Sequence, residues 1–262
     1  MKTNKWMILL LLVFCRCANE GLDNKPIQYD EGTTLSRGEY FPIVSDRYEY
    51  LVPGTEEWNQ LVKTGDVVVT VSQLPDDVLK SISTPGLIDA LVHAPLFLYT
   101  GIPIGAVDPT EYYWHSYYED LNSAGELFQR KDAGEALVAY YKLVNFDGIS
   151  KSTRNYYEDY ARLVGLEGLF TKQEVLATMN HEKKKEAVGF ILKIYNFKNY
   201  HRKFRTSLMF FIMLADQYEP IVQYAQEHLD FALINEGFFR SSDPNAMDII
   251  VSCAENFIND KK

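Results

Sequence analysis

The chain has 262 residues, of which 47% are hydrophobic and 24% charged, and this composition excludes fibrous, low-complexity and intrinsically disordered proteins. Its formal net charge of −10 would repel nucleic-acid phosphates, so we expect no nucleic-acid partner. Aromatic residues are the unusual component, with 18 Tyr, 15 Phe and 3 Trp, and tyrosine serves either in packing or on a binding face.

Residues 1–17 are predicted to form a signal peptide. Lys2 and Lys5 make a basic start, and the apolar run at 6–14 has the length of a signal-peptide core, about half of a membrane span. The sequence Leu-Val-Phe-Cys at 12–15 resembles the lipobox of bacterial lipoproteins, which implies acylation of Cys15, although that family has a small residue just before the cysteine. Cleavage after Cys17 by an ordinary signal peptidase is the alternative. Export to a bacterial cell envelope follows from either route, lipid-anchored in the first case and periplasmic or secreted in the second.

Residues 18–54 are predicted to form a tether and an extended arm. The stretch at 19–26 is polar and rich in turn residues, and glycines and prolines recur among β-prone residues at 27–54. No later segment has the apolar run of about 18 residues that a membrane span needs. We therefore expect membrane contact only through the N-terminal lipid.

Residues 55–262 are predicted to form a single helical domain. Helix-start signals, in which a capping residue or proline precedes acidic residues, recur at short intervals. They begin at Thr55, Pro75, Thr84, Asp108, Thr171 and Asp243. One run, at 66–71, is strand-like, with a buried connector as the alternative. The predicted fold class is all-α.

An internal echo indicates helical repeats. The sequence Tyr-Tyr-Glu-Asp at 117–120 recurs at 156–159, and the segment 126–139 is echoed more loosely at 168–178. A period near 40 residues is typical of HEAT and armadillo proteins, in which helical hairpins stack on one another. An irregular helical bundle is the alternative. The predicted architecture is therefore helical hairpins, with HEAT- or armadillo-like repeats as its finer form.

Three segments resemble a group of uncharacterised secreted bacterial proteins. The segments are residues 74–88, residues 94–96, and Asn122 with residues 126–133. The group shares an L-P-x-(D/E)-x-L-x-x-(M/I)-S-T-x-x-L segment followed by an N-x-x-x-E-L-x-x-R-K-D-A helix. No activity is established for the group, so the resemblance implies no catalytic residue. The matching residues are helix starts, caps and apolar faces, and we expect a structural role for them.

The sequence contains no complete catalytic or cofactor motif. His181 and Glu182 begin like the H-E-x-x-H helix of zinc proteases, but position 185 is lysine, so the second histidine is missing. Nucleotide-binding glycine patterns and the G-x-S-x-G elbow are also absent. We therefore predict no catalytic residue, no metal and no cofactor.

Adjacent carboxylates leave one enzymatic alternative. The pairs are Asp76/Asp77, Glu119/Asp120 and Glu158/Asp159. Glycoside cleavage needs two suitably spaced carboxyl groups. Neighbours on a helix diverge by about 100°, so a working pair would have to combine residues from different helices. An exported hydrolase acting on glycan or peptide is the alternative function.

The sharpest local charge contrast is the basic segment 183–205, in which lysines and arginines alternate with aromatic residues. Such a segment could bind an acidic partner or a polyanionic glycan. The alternative is a solvated helical face with its aromatic residues turned inward. In the aromatic run at 112–118, Tyr112 is the position that packing would leave outside. The candidate binding surface consists of Tyr112, Lys183, Lys184, Lys185, Tyr200, Arg202 and Lys203.

The leading hypothesis is an exported, lipid-anchored helical protein that acts without catalysis, as a binding or scaffold module in the cell envelope. Its expected partner is another envelope protein or a glycan. Cys253 is the one cysteine beyond the signal segment and lies among apolar residues. We predict that it is a buried small hydrophobic residue.

Overall fold

A computed structural model describes residues 40–51, 55–62, 67–95, 118, 120–151, 156–195, 202–228 and 243–260. Within these ranges every regular element is a helix and no strand occurs, which confirms the predicted all-α class. The described residues all belong to one compact unit, Ser36–Lys262. None of the described helices is long and apolar enough to cross a membrane.

The helices of the described ranges are numbered in chain order. They are α1 (Glu56–Val62), α2 (Val67–Val71), α3 (Asp76–Ser81), α4 (Thr84–His93), α5 (Asn122–Leu127), α6 (Ala133–Lys142), α7 (Phe146–Lys151), α8 (Tyr156–Gly168), α9 (Gln173–Ala177), α10 (His181–Lys193), α11 (Arg202–Ala215), α12 (Glu219–His228) and α13 (Ala246–Asn259). A 3₁₀ turn, Leu169–Thr171, connects α8 to α9.

Several helices begin where the sequence predicts. Before α1, the Thr55 hydroxyl accepts a hydrogen bond from the Trp58 amide at 3.2 Å. Before α4, the Ser83 hydroxyl accepts a hydrogen bond from the Gly86 amide at 3.1 Å. α13 begins three residues after Asp243. The first amides of a helix have no acceptor within the helix, so the Thr55 and Ser83 hydroxyls fix where α1 and α4 start.

The capping prediction at Thr171 is wrong. The Thr171 hydroxyl donates a hydrogen bond to the Gly168 carbonyl at 2.8 Å, within the 3₁₀ turn that precedes α9. Lys172 stands at the cap position of α9 and provides no side-chain cap. The reason is tertiary, because the preceding turn already occupies the threonine.

The strand predicted at 66–71 is also wrong, because Val67–Val71 forms the short helix α2. After this helix the chain turns, and the Gln73 side-chain amide donates a hydrogen bond to the Val69 carbonyl at 2.9 Å. β-branched residues favour a strand where a neighbouring strand packs beside them, and no strand occurs among the described residues. The local composition was therefore overridden by its surroundings.

Two central helices organise the core. No residue between Leu87 and Val92 of α4, or between Leu208 and Met213 of α11, is more than 1% exposed. α4 packs against α5, α6 and α8, whereas α11 packs against α10, α12 and α13. α6 also contacts α10 and so joins the two groups. Because α4 and α11 are apolar around most of their circumference, each must be surrounded by other helices, and the helices therefore form two groups, one around each of them. The finer HEAT- or armadillo-like repeat stays a prediction.

Residues 40–51, called the strap below, contain no helix, as expected for the arm. Phe41 and Tyr50 are 4% and 8% exposed and belong to the same apolar core as the helices. The Tyr40 carbonyl accepts a hydrogen bond from the Asn145 amide at 2.8 Å, just before α7. The packed part of the chain thus includes residues that precede Thr55.

Gly134, at the start of α6, permits close contact with the region of α9. A Cβ atom at this position would lie 2.3 Å from Cγ of Met179 and 3.0 Å from the Val175 carbonyl oxygen. The Gly134 amide donates a hydrogen bond to the Thr178 hydroxyl at 2.8 Å. By contrast, a Cβ at Gly125 in α5 would meet nothing within 4 Å. Only the first glycine is required by its neighbours.

Candidate functional site

The lysines at the start of the predicted basic surface are engaged by neighbouring groups. Lys183 donates a hydrogen bond to Glu186 at 2.7 Å, one turn further along α10. Lys185 donates to the Asp260 carbonyl at 2.6 Å and so connects α10 to the end of α13. Both lysines therefore connect parts of the fold, and the binding surface stays a prediction, with a solvated helical face as its alternative.

Lys184 is directed into the protein and is 8% exposed. Its ammonium donates a hydrogen bond to the Ala215 carbonyl at 3.0 Å and lies 3.6 Å from Asp216. His181 lies beside it, with Nδ1 2.6 Å from the same carboxylate and its ring packed edge-on against Phe257. This pairing anchors the first turn of α10 to the end of α11.

The remaining residues of the candidate surface are described only in part. The Arg202 guanidinium lies over the Tyr195 ring, 5.8 Å from its centroid. Lys203 lies on α11, with its side chain outside the described part of the structure. Tyr112, Tyr200 and the predicted lipid-attachment residue Cys15 lie outside the described residues.

Arg205, at the end of the basic segment, is fully buried. Both Nε and Nη2 lie 3.3 Å from Oε1 of Glu167, and Nη1 donates a hydrogen bond to the Ile194 carbonyl at 2.9 Å. The Tyr141 hydroxyl donates a short hydrogen bond to the same carboxylate oxygen. Arg205 and Glu167 are both 0% exposed, so this part of the basic segment belongs to the core.

Burial governs the electrostatics of this group. It raises the pKa of the Glu167 carboxyl, although the charge of Arg205 and the hydrogen bond from Tyr141 oppose the change. Burial would lower the pKa of Arg205, but Glu167 and Tyr141 outweigh it and raise that pKa. The guanidinium therefore stays charged, and the carboxylate depends on it.

A second group of the same kind is centred on Asp89 of α4, which is 0% exposed. Arg47 of the strap contacts both carboxylate oxygens, through Nε at 2.9 Å and Nη2 at 2.8 Å. The Tyr140 hydroxyl of α6 donates a hydrogen bond to Oδ1 at 2.9 Å. Such fork-like pairing is geometrically specific and stronger than a neutral hydrogen bond. It joins the strap, α4 and α6 at one point.

His93, one turn after Asp89, completes this group. Its Nδ1 lies 2.8 Å from the Asp89 carbonyl oxygen, and because a carbonyl only accepts, Nδ1 carries the hydrogen. Nε2 is buried and has no hydrogen-bond partner among the described residues. Burial, assisted by the charges of Arg162 and Arg47 and opposed by that of Asp89, lowers the pKa of His93 to about 4. The ring is therefore neutral at pH 7.

Arg162 of α8 supplies the other cation near His93. Nη1 lies 3.0 Å from Oδ1 of Asp159, and the two side chains are 3% and 1% exposed. The buried charges described for this group are thus two arginines and two aspartates around a neutral histidine, and these four cancel, while Glu49 of the strap acts on Arg47 from an exposed position. Balanced, paired charges of this kind are suited to holding helices together.

In the described part of the chain, the carboxylates of these sequence pairs are either exposed or paired with an arginine. Asp76 and Asp77 are exposed at the start of α3. Asp159 is paired with Arg162, while Glu119 and the side chain of Glu158 lie outside the described residues. The two central carboxylates, Asp89 and Glu167, are each engaged by an arginine and a tyrosine. In addition, no group of three or more metal-ligating side chains occurs among the described residues.

The residues of the predicted motif at 74–88 and 122–133 make structural contacts in the described region. The Asn122 side chain accepts a hydrogen bond from the Leu74 amide at 2.9 Å and donates one to the Leu74 carbonyl at 2.7 Å. Gln73 contacts the Asn122 amide in turn, at 3.0 Å. The asparagine side chain therefore satisfies both backbone groups of Leu74 and holds the segment that precedes α3 beside the start of α5.

A second pair of motif residues makes the same kind of connection. The Thr84 hydroxyl donates a hydrogen bond to Asp132 at 2.7 Å, which joins the start of α4 to the turn before α6. Arg130 donates to the Leu79 carbonyl at 3.2 Å. These contacts agree with the structural role that the motif predicts.

Sequence reasoning missed the group around Asp89. The signal was the polar pair Asp89 and His93, four residues apart in a helix that is otherwise apolar from Leu87 to Val92. A charged residue in a buried helix requires a partner, and only the fold shows that Arg47 provides it.

Comparison with known proteins adds no relationship. No family model matches the chain, and no curated protein or solved structure matches it either.

Cys253 of α13 is half-buried, which is less than the full burial that the sequence predicts. It packs against the edge of the core, and burial raises the pKa of its thiol. A raised pKa reduces the thiolate fraction and therefore the reactivity of the thiol.

Proposed function

We propose that the protein is an exported, lipid-anchored scaffold or binding module of the bacterial cell envelope that acts without catalysis. The observation that carries this proposal is the use of the buried polar residues. Both central carboxylates bind an arginine and a tyrosine and join separate elements: the strap with α4 and α6, and α6 with α8 and α11. A catalytic carboxylate needs access to substrate, which these groups lack.

Export and anchoring rest on the sequence of residues 1–17. The basic start, the apolar run at 6–14 and the lipobox-like Cys15 support lipid attachment. The partner is then a protein or a glycan of the envelope, recognised by a surface of the helical unit.

Anchoring is tested by expressing the full chain in bacteria that are fed an alkyne-labelled fatty acid. We expect the label on the wild-type protein and on Cys17→Ser, and no label on Cys15→Ser. Cys17→Ser is the matched control, because it removes a neighbouring thiol without changing the proposed attachment site. Equal labelling of Cys15→Ser, or labelling lost only in Cys17→Ser, would refute Cys15 as the site.

The binding role is tested by cross-linking the exported protein in intact cells and identifying the products. We expect reproducible cross-links to an envelope protein or recovery of a bound glycan. Incubation with peptidoglycan and with peptide substrates tests the hydrolase alternative. Turnover that persists through purification would overturn the non-catalytic role, whether or not the lipid is attached.

A further inference from the structure

The strap is held to the helices by charged groups at two adjacent points. Arg47 binds Asp89 through two hydrogen bonds and also donates to the Pro42 carbonyl at 2.9 Å, which stiffens the strap itself. Asp46 accepts hydrogen bonds from the amide and the hydroxyl of Ser83, at 2.6 Å and 3.0 Å. The strap therefore depends on electrostatic contacts with α4 in addition to its two buried aromatic side chains.

His93 lies where those charges meet. The strap presents Arg47 to it, together with the Phe41 ring, whose centroid is 5.9 Å from that of the imidazole. The other helices that pack against this group contribute their own charged or titratable side chains. These are Asp89 from α4, Tyr140 from α6, and Arg162 with its partner Asp159 from α8.

Protonation of His93 would unbalance this group. The two buried arginines and two buried aspartates cancel, and Glu49 of the strap, whose charge also acts on Arg47, is exposed to water. A histidine cation therefore adds one positive charge to the buried part of the group, where desolvation makes it costly. The new proton would sit on Nε2, which has no acceptor among the described residues. One cation must then move away, or the histidine must reach water.

Arg47 is the cation that can leave. Its side chain is 14% exposed and belongs to a short segment without helix, whereas that of Arg162 is 3% exposed and lies within the thirteen-residue helix α8. Removing Arg47 from Asp89 lets that carboxylate pair with the histidine cation, whose Nδ1 is already 3.4 Å from Oδ1. The strap lies over this position, so its departure also opens the ring to water.

We propose that residues 40–51 form an acid-released strap, which is docked while His93 is neutral and is displaced from the helices when His93 takes up a proton. The helical core stays folded during this release. Asp46 does not trigger it: burial raises the pKa of this carboxyl, but the hydrogen bonds from Ser83 outweigh burial and lower the pKa overall. Asp46 therefore remains charged while His93 titrates.

The size of the effect follows from proton linkage. A histidine in water has a pKa near 6.5 and His93 in the docked state one of about 4. Protons therefore bind the released state more tightly, and docking weakens as the pH falls through this range. Relative to pH 7, the docking equilibrium constant should fall roughly 20-fold at pH 5 and roughly 100-fold at pH 4.

Release itself does not depend on the proposed function. If the chain is anchored at Cys15, release adds the twelve residues of the strap to the tether, a gain in reach of at most about 40 Å. Acid would then change how far the helical unit extends from the membrane.

Hydroxyl-radical footprinting of the purified protein between pH 7 and pH 4 tests the proposal. Oxidation of Phe41 and Tyr50 reports exposure of the strap, and oxidation of Phe210, which is 0% exposed, reports unfolding of the core. We expect Phe41 and Tyr50 to gain oxidation severalfold as the pH falls while Phe210 stays protected. NMR titration of the His93 ring should give the same midpoint.

The control variant is His93→Asn, whose side-chain amide can still donate to the Asp89 carbonyl but does not titrate. Its strap should stay protected down to pH 4. Three results would overturn the proposal: exposure of Phe210 together with Phe41, a strap that stays protected after His93 has been protonated, or unchanged release in His93→Asn. If that variant does not fold, the agreement or disagreement of the two wild-type midpoints still decides.

Discussion

Replacing Arg205 with methionine should destabilise the protein by about 3–5 kcal/mol, the usual cost of removing one partner from a buried ion pair. Methionine fills much of the arginine volume, so little of this cost comes from a cavity. The main term is the Glu167 carboxylate, which is 0% exposed and would lose its ion pair with the guanidinium while it keeps the hydrogen bond from Tyr141. A loss of this size is a large fraction of the stability of a typical domain.

A double-mutant cycle separates the charge from the packing. Glu167→Gln alone leaves the guanidinium buried without its carboxylate, and we expect a similar loss. The combined Arg205→Met and Glu167→Gln variant removes both charges and keeps a carbonyl oxygen for Tyr141. Its loss should be well below the sum of the single losses, with a coupling energy of about 2 kcal/mol or more.

Urea unfolding followed by circular dichroism measures these free energies. The pH dependence of the free energy of unfolding gives an independent test, because the reasoning predicts its direction. The folded-state pKa of Glu167 is already raised, and without Arg205 it should rise further. Stability from a raised carboxyl is present below the unfolded pKa and is lost as pH rises through the folded value. The Arg205→Met deficit should therefore shrink on acidification. A deficit under 1 kcal/mol, or additive single losses, would refute the reasoning.

Three further predictions concern single positions. Asn122→Ala should cost about 1–3 kcal/mol in urea unfolding, because both backbone groups of Leu74 lose their partner, and a change below 0.5 kcal/mol would contradict this. Gly134→Ala should lower the free energy of unfolding by about 1–3 kcal/mol, because the added methyl group overpacks the contact with the region of α9. Gly125→Ala, where a Cβ meets open space, should be neutral or stabilising by up to about 1 kcal/mol. Equal effects of the two substitutions in urea unfolding would argue against the contact. Because the pKa of His93 is lower in the folded protein than in the unfolded chain, the free energy of unfolding should fall by up to about 3 kcal/mol as the pH drops from 6.5 to 4. Calorimetry at several pH values should show this loss in the wild type and not in His93→Asn.

The parts of the fold that the sequence predicts correctly depend on local chemistry. Thr55 and Ser83 accept hydrogen bonds from amides three residues further on, and a reader of the sequence needs no distant partner to expect this. Val67–Val71 shows the limit of this reasoning. Its β-branched residues favour a strand in isolation, but the conformation is set by the neighbours that the folded chain provides.

The candidate site shows the same limit for charge. Lys184 and Arg205 belong to one basic segment in the sequence, but the fold places the first against the end of α11 and the second inside the core. Arg47 gave no signal of its own, because its partner lies 42 residues away. The charged end of a long side chain can lie in solvent, donate to a carbonyl or pair with a buried carboxylate, and tertiary contacts decide which of these occurs.

The two tyrosine–carboxylate–arginine groups show what the tyrosine content does in the core and why only one group can open. Tyr140 and Tyr141 are neighbours on α6 and diverge to reach Asp89 and Glu167. The chemistry of the two groups is the same, but their arginines differ in position. Arg205 lies on a central helix and is 0% exposed, so removing it from its carboxylate would require the core to come apart.

The arginine of the other group lies on the strap, which we propose to leave while the helices stay folded. The difference therefore predicts an order of events on acidification: the contact between Arg47 and Asp89 opens first, and the contact between Arg205 and Glu167 persists until global unfolding. Because the contacts described for the second group include no histidine, it serves as an internal reference within the same molecule. Arg47→Met, in which the strap should be loose already at pH 7, should leave the Glu167 group unchanged.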